Sequence, residues 1–397
     1  MNTNRIPQTS IGVKTATIVG INAMIGGGIF SIPIALSQSA GPAGILAYFF
    51  VIIAVWLIAT SISRVAQLYP QEGSFYTYTK QWAGHTFAMV IAISYIIGLT
   101  LGMGLIAKLA GLYLHENLTH IQAPILSLII IGLLTFLNVF GIAISQLGQI
   151  ILVGCTITSI LLTSLICLLH AKLSNLIPFF PFGYSNILAS TKTVIFSFFG
   201  FECATSLFNI VKNPEKNVYH ALGYAIAIVG IIYLIFTTSI MMAIPAYKFQ
   251  HESATLSQIL AENLPQHWWI SKIVNFSVLT AMLGTLHSLI WSSSMLLTYL
   301  VKKTKLEILK NKNLVIVIGL ITAINSIVLK NNALFFELTA IFIVLPYITA
   351  MLTIIFKHKN QNKFYSYTAI LGILTALVIF AYAVWGIIWQ IKNYLLA

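Results

Sequence analysis

Eleven predominantly apolar stretches, each long enough to cross a bilayer as a helix, follow one another along this 397-residue chain. About 20 apolar residues span a hydrocarbon core as a helix. The stretches fall at approximately 15–38, 43–68, 83–113, 122–140, 145–170, 190–211, 218–245, 272–301, 313–329, 333–356 and 365–391. Inside hydrocarbon a backbone must satisfy its own polar groups, which leaves helices or closed barrels. Segments of this length select helices. Composition agrees: 58% of residues are hydrophobic and 7% charged, and mean hydropathy is +0.93. Ordinary globular domains carry roughly a quarter charged residues. Too little polar surface remains to cover a soluble domain, so a cytosolic enzyme, a nucleic-acid binder and a disordered scaffold are excluded. The first stretch is a permanent helix and not a signal peptide, because Asn22 and three glycines interrupt its apolar core and ten spans follow.

The net charge of +13 reads as topology. With the N-terminus inside, 14 of the 21 Lys and Arg fall on inner loops, among them Arg5, Lys14, Arg64 and Lys80, and 7 fall outside, Lys330 among them. That bias fits the positive-inside rule. Eleven spans then leave the C-terminus outside. The cluster from Lys302 through Lys305 and Lys310 to Lys312 anchors this topology, with anionic-lipid binding as the alternative. The longest loop, about 246–271, carries Trp268 and Trp269, which suit an interfacial aromatic belt. Cys155, Cys167 and Cys203 form no CxxC pair and no disulfide framework. Eight of nine His sit in loops or near helix ends, none at metal-ligand spacing, so no metal and no cofactor are expected.

Two spans contain breaks. The first reads Asn22-Ala23-Met24-Ile25-Gly26-Gly27-Gly28-Ile29-Phe30-Ser31-Ile32-Pro33. Each Gly costs a helix interior about 1 kcal/mol relative to Ala, so three cost roughly 3 kcal/mol. Tight helix packing is the other use of small residues, but it prefers a spacing of four, as at Gly98 and Gly102. The sixth span reads Phe196-Ser197-Phe198-Phe199-Gly200-Phe201-Glu202-Cys203. An acid near mid-span costs about 2.5–3.5 kcal/mol on insertion scales and normally faces a cavity or partner. Glu202 is expected in the first turn after a break at Gly200, where the exposed amides of the second half-helix favour a carboxylate. Spans one and six hold corresponding places in two sets of five, and interrupted spans in corresponding places point to a secondary transporter's site. Amides at 26–28 can hold a carboxylate, and free carbonyls around 197–199 can hold an ammonium. An amino acid carries both groups.

Gly26-Gly27-Gly28-Ile29-Phe30 followed by Pro33, Pro70-Gln71-Glu72-Gly73-Ser74-Phe75-Tyr76-Thr77-Tyr78, and Phe199-Gly200-Phe201-Glu202 with Lys212-Asn213-Pro214-Glu215-Lys216-Asn217 resemble three motifs of the amino acid–polyamine–organocation transporter superfamily. They match its first-helix Gly-x-Gly-Ile-Phe motif, its re-entrant loop after the second span, and its sixth helix with exit loop. The similarity covers nearly the whole chain and looks closest to the basic amino acid/polyamine antiporters, including arginine/agmatine exchangers. It implies an all-α polytopic membrane protein with the LeuT-type 5+5 inverted repeat and discontinuous helices 1 and 6. On that scheme 15–170 form the first repeat, 190–356 the inverted second and 365–391 a peripheral helix, all within one domain, 1–397. It implies further that Ile25, Gly26, Gly27 and Gly28 bind the substrate carboxylate region, that Ser197 and Phe199 beside Gly200 offer carbonyls to the amine, that Phe196 is an aromatic gate, that Tyr95 approaches the pocket, and that Glu202 senses protons. The chain departs from the pattern at four points. Phe196 stands where arginine/agmatine antiporters have Trp, Ser74 replaces the second Gly of the loop, Tyr219 stands where Pro usually follows the exit loop, and eleven spans are found instead of twelve.

Other polar residues have two readings. His287, near the centre of the eighth span, either packs through hydrogen bonds or lines the pocket and titrates near neutral pH. Trp291, one turn later, is either a substrate wall or a packing aromatic. Ser292, Ser293 and Ser294 either satisfy their own helix or join first-helix carbonyls around sodium. Glu337 is either interfacial or pairs with a cationic substrate head, and Glu72 is a gate or structural acid. The fifth span carries no Lys that could couple protons. An intramembrane hydrolase needs paired Asp, a Ser–His couple or a metal cluster. The chain has no Asp and no HExxH. A channel needs a filter motif or charged rings. The sequence therefore reads as an amino acid permease of a bacterial cytoplasmic membrane, working by alternating access. It exchanges an amino acid for an amine or another amino acid, or alternatively takes up a neutral or aromatic amino acid with protons or, less well supported, sodium. Its partners are that substrate and membrane lipid, with a homodimer left open and no nucleic acid.

Overall fold

The computed structural model describes residues 10–117, 120–249, 255–304, 311–328, 331–359 and 361–396. Of the charges used for topology, Arg5, Lys305, Lys310 and Lys330 lie outside the described residues. Almost everything described is helical, and the only β pairing is one isolated bridge between Ile11 and Val211.

The first span is two helices, α1 (Val13–Met24) and α2 (Gly28–Ser39), bent by 47° at the break between them. Next come α3 (Ile45–Leu68) and α4 (Ser74–Asn117). The latter is a short helix and a long one joined at Gly84, whose φ of +80° only glycine adopts readily. The motif around Pro70–Tyr78 is thus a turn at Gly73 that opens a helical arm. α5 (Ala123–Val139) and α6 (Ile142–Leu169) complete the first five spans. The sixth consists of α7 (Ser185–Ile195), a tight turn over Phe196–Phe198, and α8 (Cys203–Ser206). α9 (Pro214–Ala243) starts where Asn213 takes the left-handed conformation (φ +43°) and Pro214 fills the first helical position, with Glu215 in the first turn. A proline and an acid at these positions both favour a helix start. The expected long loop contains α10 (Leu256–Asn263), opened by a reciprocal capping box between Thr255 and Gln258. Then follow α11 (Ile270–Lys303), α12 (Asn311–Val328), α13 (Asn332–Lys357) and α14 (Lys363–Leu396).

Among the described residues, seven helices are long and apolar enough to cross a membrane, or eight if the bent pair counts as one span. The three remaining expected spans coincide with shorter apolar helices, Ala123–Val139, Thr193–Ser206 and Lys312–Val328. The outer surface is itself apolar: Ile53, Ile129, Leu133, Phe136 and Ile324 are each more than half exposed. Soluble monomers do not tolerate such a belt; lipid does. The most apolar window of α11 is 72% buried and that of α14 only 22%. α11 therefore runs through the centre of the molecule and α14 along its edge. Gly98 and Gly102 serve packing, as their spacing suggests. A Cβ on Gly98 would lie 2.9 Å from Ile343 and one on Gly102 3.2 Å from Thr339, so both glycines let α4 approach α13 closely.

Candidate functional site

The two breaks touch. Gly200 has φ +103°, and a Cβ there would stand 2.7 Å from the Ala23 carbonyl oxygen. Backbone conformation and close approach both demand glycine. In the first break Ile25 leaves helical geometry (ψ 81°), the Gly26 amide turns back to the Met24 carbonyl (2.8 Å), and α2 begins at Gly28. The interruption is thus Ile25–Gly27, one residue earlier than the glycine run itself. Among the described residues no acceptor meets the amides of Gly27 and Gly28, and Gly28 is exposed while its neighbours Ile29 and Phe30 are buried. Two free N–H groups at a helix N-terminus, open to an access path, form an anion-binding end.

In the second break Phe199 is extended (ψ 142°) and half-buried. Among the described residues none donates to its carbonyl, whereas Tyr233 donates to that of Ser197. The Tyr233 hydroxyl on α9 lies 2.9 Å from the Met24 carbonyl and 2.9 Å from the Ser197 carbonyl. A phenol has one hydrogen, so it satisfies one carbonyl at a time and bridges the breaks. A second hydroxyl does similar work. Thr285 Oγ1 on α11 lies 2.8 Å from Asn22 O, 3.2 Å from Ile25 O and 3.1 Å from Ala281 O. Neither residue stands out in the sequence, where a single Tyr or Thr in an apolar span carries no distinguishing pattern. Replacing Tyr233 with Phe leaves the buried Ser197 carbonyl without a donor, while the Met24 carbonyl keeps the Gly26 amide, a cost of about 1–3 kcal/mol. The expected result is a lower melting temperature and weaker ligand binding, both measurable on purified protein.

Glu202 is fully buried. It directly precedes α8 and makes no side-chain cap to it. It thus stands one residue before the first turn in which it was expected, and its hydrogen-bond partner comes from another helix. Tyr95 on α4 donates its hydroxyl to Glu202 Oε1 at 2.7 Å. The Tyr347 hydroxyl on α13 stands near the same carboxylate but outside hydrogen-bond geometry, and Glu202 Oε2 accepts no hydrogen bond. Phe75, stacked edge-on against Tyr95 at 4.7 Å, and Phe201, at 5.4 Å from Tyr347, enclose the group.

Phe196 meets Phe199 at 5.3 Å and Phe336 at 5.9 Å, so the expected gate joins the sixth-helix break to the start of α13. Trp291 is buried in α11. Ser292, Ser293 and Ser294 bond to carbonyls of their own helix, and Thr285 is the hydroxyl that reaches α1. His287 lies against α5 and α6: Asn138 Nδ2 donates to its Nδ1 (2.8 Å), and its Nε2 donates to the Ser145 carbonyl (3.1 Å). Both ring nitrogens are thereby occupied, as in a packing histidine. Beside it Asn22 and Ser288 both donate to Gln149 Oε1, at 2.6 and 2.7 Å, tying α1, α6 and α11 together. Glu337 lies away from the breaks, against Gly386 of α14. Among the described residues no group of three or more His, Cys or Glu could hold a metal.

A family model described as amino acid permease matches residues 11–393. The chain belongs to that family. It is 24% identical over 295 residues to the branched-chain amino acid permease BcaP of Bacillus subtilis (strain 168), covering 69% of this chain and 63% of that one. It is 28% identical over 237 residues to the methylthioribose transporter of the same organism (55% and 51%), and 26% identical over 292 residues to the vacuolar cationic amino acid transporter 4 of Arabidopsis thaliana (68% and 48%). The chain thus spans roughly half to two-thirds of the length of these relatives. The crystal structure of MhsT in complex with L-phenylalanine superposes with a TM-score of 0.69 at 11% identity, covering 94% of this chain and 98% of that one. The fold is the LeuT-type inverted repeat with discontinuous helices 1 and 6, within the amino acid–polyamine–organocation superfamily, and the chain is an integral membrane protein.

Proposed function

We propose that the chain carries an amino acid through a bacterial cytoplasmic membrane by alternating access, with its N-terminus inside. The observation that carries this reading is that the two breaks touch at Gly200 and Ala23 while, among the described residues, the Gly27 and Gly28 amides meet no acceptor and the Phe199 carbonyl no donor. The substrate carboxylate takes the amides and its ammonium takes the carbonyl, sharing Ser197 O with Tyr233. Phe196 then closes over it, and the bundle of α1–α2, α3, α7–α8 and α9 rocks against the remainder. Relatives named for branched-chain and for cationic amino acids are consistent with a common head-group site, beside which Tyr95, Trp291 and Tyr347 would meet the side chain. The preferred mode is exchange, of an amino acid for an amine or another amino acid. Its support is that the protein's own hydroxyls on Tyr233 and Thr285 tie the breaks, so no ion is needed to hold them.

One observation favours a second reading, cation-coupled uptake of a neutral or aromatic amino acid. Three carbonyl oxygens converge on Thr285 Oγ1, which has one hydrogen to give. Ala281 O also accepts its own helix's amide, and a small monocation as co-substrate would satisfy the Asn22 and Ile25 carbonyls. One experiment tests both readings: thermal unfolding of purified protein with each of the twenty amino acids, agmatine, putrescine and cadaverine, in sodium and in potassium buffer. A ligand at about 100 times its Kd stabilises the native state by about 2.7 kcal/mol. Exchange predicts shifts with basic amino acids and their amines, alike in both salts. Coupled uptake predicts shifts with neutral or aromatic amino acids, and sodium dependence that Thr285→Val abolishes. No shift with any amino acid sinks the site.

A further inference from the structure

Where α3 ends and α13 turns into α14, Arg64, His358, Gln361, Asn362 and Tyr365 line a small polar hollow of about 10 Å³. That is room for one water-sized oxygen. Its spare hydrogen-bonding capacity is one-sided. Tyr69 donates its hydroxyl to His358 Nε2 (2.8 Å), and His358 Nδ1 donates to Gln361 Oε1 (2.8 Å). The Phe364 amide donates to Asn362 Oδ1 (3.0 Å). Both side-chain amides have thus used their oxygens, and among the described residues neither NH2 group meets an acceptor. Arg64 adds a fork of N–H donors. One meets Gln67 Oε1 (3.3 Å), and the guanidinium lies over the Tyr365 ring (4.9 Å). Neither partner is negative, and among the described residues no carboxylate pairs with Arg64.

The surroundings identify the kind of anion. Arg64 closes the lipid-facing side of α3, since Ile53, more than half exposed, lies about three turns earlier on the same face. Trp56 and Phe364 meet edge to face at 6.3 Å, each about half exposed on the apolar surface. Lys357, Lys359 and Lys363 are exposed around the turn, and the stretch 357–363 contains no Glu. Topology accounts for the lysines but not for a hollow in which the open valences are donors. A planar guanidinium beside amide donors is the recognition chemistry of a phosphate. We propose that the hollow seats a phosphate oxygen of one anionic phospholipid, held by Arg64, Gln361 and Asn362, with an acyl chain starting along Trp56 and Phe364. The lipid joins α3 to the turn between α13 and α14. That it thereby restrains the rocking bundle rests on the transport reading above; the binding itself does not.

The test is native mass spectrometry of the delipidated full chain titrated with phosphatidylglycerol. Phosphatidylcholine, which has the same phosphate but carries a cation toward the lysines, is the comparison. One saturable phosphatidylglycerol per chain is expected, bound about tenfold more tightly than phosphatidylcholine. Arg64→Gln and Asn362→Asp are each expected to weaken it about tenfold. Asn362→Asp keeps an oxygen for the Phe364 amide and replaces the donor with a negative charge, so it decides the matter by itself where Arg64→Gln is unstable. Equal affinity for the two lipids, or parental affinity in Asn362→Asp, would reduce the binding to diffuse attraction by the lysines and overturn the proposal. Displacement by millimolar inorganic phosphate would make the occupant a soluble anion and overturn it equally. The readout needs no transported solute, so its failure is distinct from a failure of the transport reading.

Discussion

Gly200→Ala is expected to lower transport by roughly one to two orders of magnitude while leaving the protein in the membrane. Two costs coincide at this residue. Its φ of +103° is one that side chains rarely adopt, and the new Cβ would sit 2.7 Å from backbone oxygen of Ala23, which cannot rotate away. Strained backbone of this kind costs about 1–3 kcal/mol, or about 5–150-fold in an equilibrium. The first-helix glycines are less demanding. A Cβ on Gly27 meets only the mobile tip of Met282, and one on Gly28 meets nothing within 4 Å. Gly27→Ala should therefore be mild, and a bulky Gly27→Leu should block ligand binding by filling the access path. Scintillation proximity binding on the three variants, with surface labelling to check insertion, gives the order directly. Equal affinity of Gly200→Ala and the parent would remove the contact between the breaks from the mechanism.

Glu202→Gln should produce the second large effect, and a selective one. The amide oxygen still accepts the Tyr95 hydroxyl bond, so the fold should hold, while the buried titratable acid beside the breaks is gone. A proton-coupled carrier should then lose the pH dependence of uptake and its ability to concentrate substrate. An exchanger should keep counterflow at near-parental rates. Tyr95→Phe is the complementary variant. It keeps the acid but removes its donor, leaving a buried carboxylate oxygen unpaired at a cost of about 1–3 kcal/mol or more. Proteoliposome uptake across a pH series, scored against counterflow at fixed pH, separates these outcomes. A Glu202→Gln protein with unchanged pH profile would take protons away from this residue.

What can be read from the sequence follows from which physics is local. Three consecutive glycines, or a Gly two residues before an intramembrane Glu, disfavour helix wherever they occur, so both interruptions are legible without tertiary information. So are eleven apolar stretches, since length and hydropathy are local too. The extent of the first break is less so, because the Ile25 carbonyl meets the Thr285 hydroxyl, which comes from a distant helix. Glu202 is conspicuous as an acid in an apolar span, but its partner is not: Tyr95 is 107 positions away and reaches it only across the fold. Tyr233 and Thr285 are invisible for the same reason. Their importance lies in which carbonyls face them, a property of the assembled bundle. His287 draws attention as an unusual residue type in a span, and it is Asn138 and Ser145, on two other helices, that explain it.

The joint at Gly84 has a mechanical corollary. The short arm of α4 before it is staked to α13, through Thr79 to Thr349 (3.2 Å), Trp82 to the Thr349 carbonyl (3.2 Å) and Thr353 to the Tyr78 carbonyl (3.1 Å). Toward the sixth helix it has a single polar tether, Ser74 to Thr205 at 2.7 Å. Three fastenings on one side and one on the other define a slip plane. In the rocking motion proposed above, the arm would stay with α13 and the Ser74–Thr205 tether would part. That one contact would then act as a detent, a shallow catch between the moving bundle and the arm.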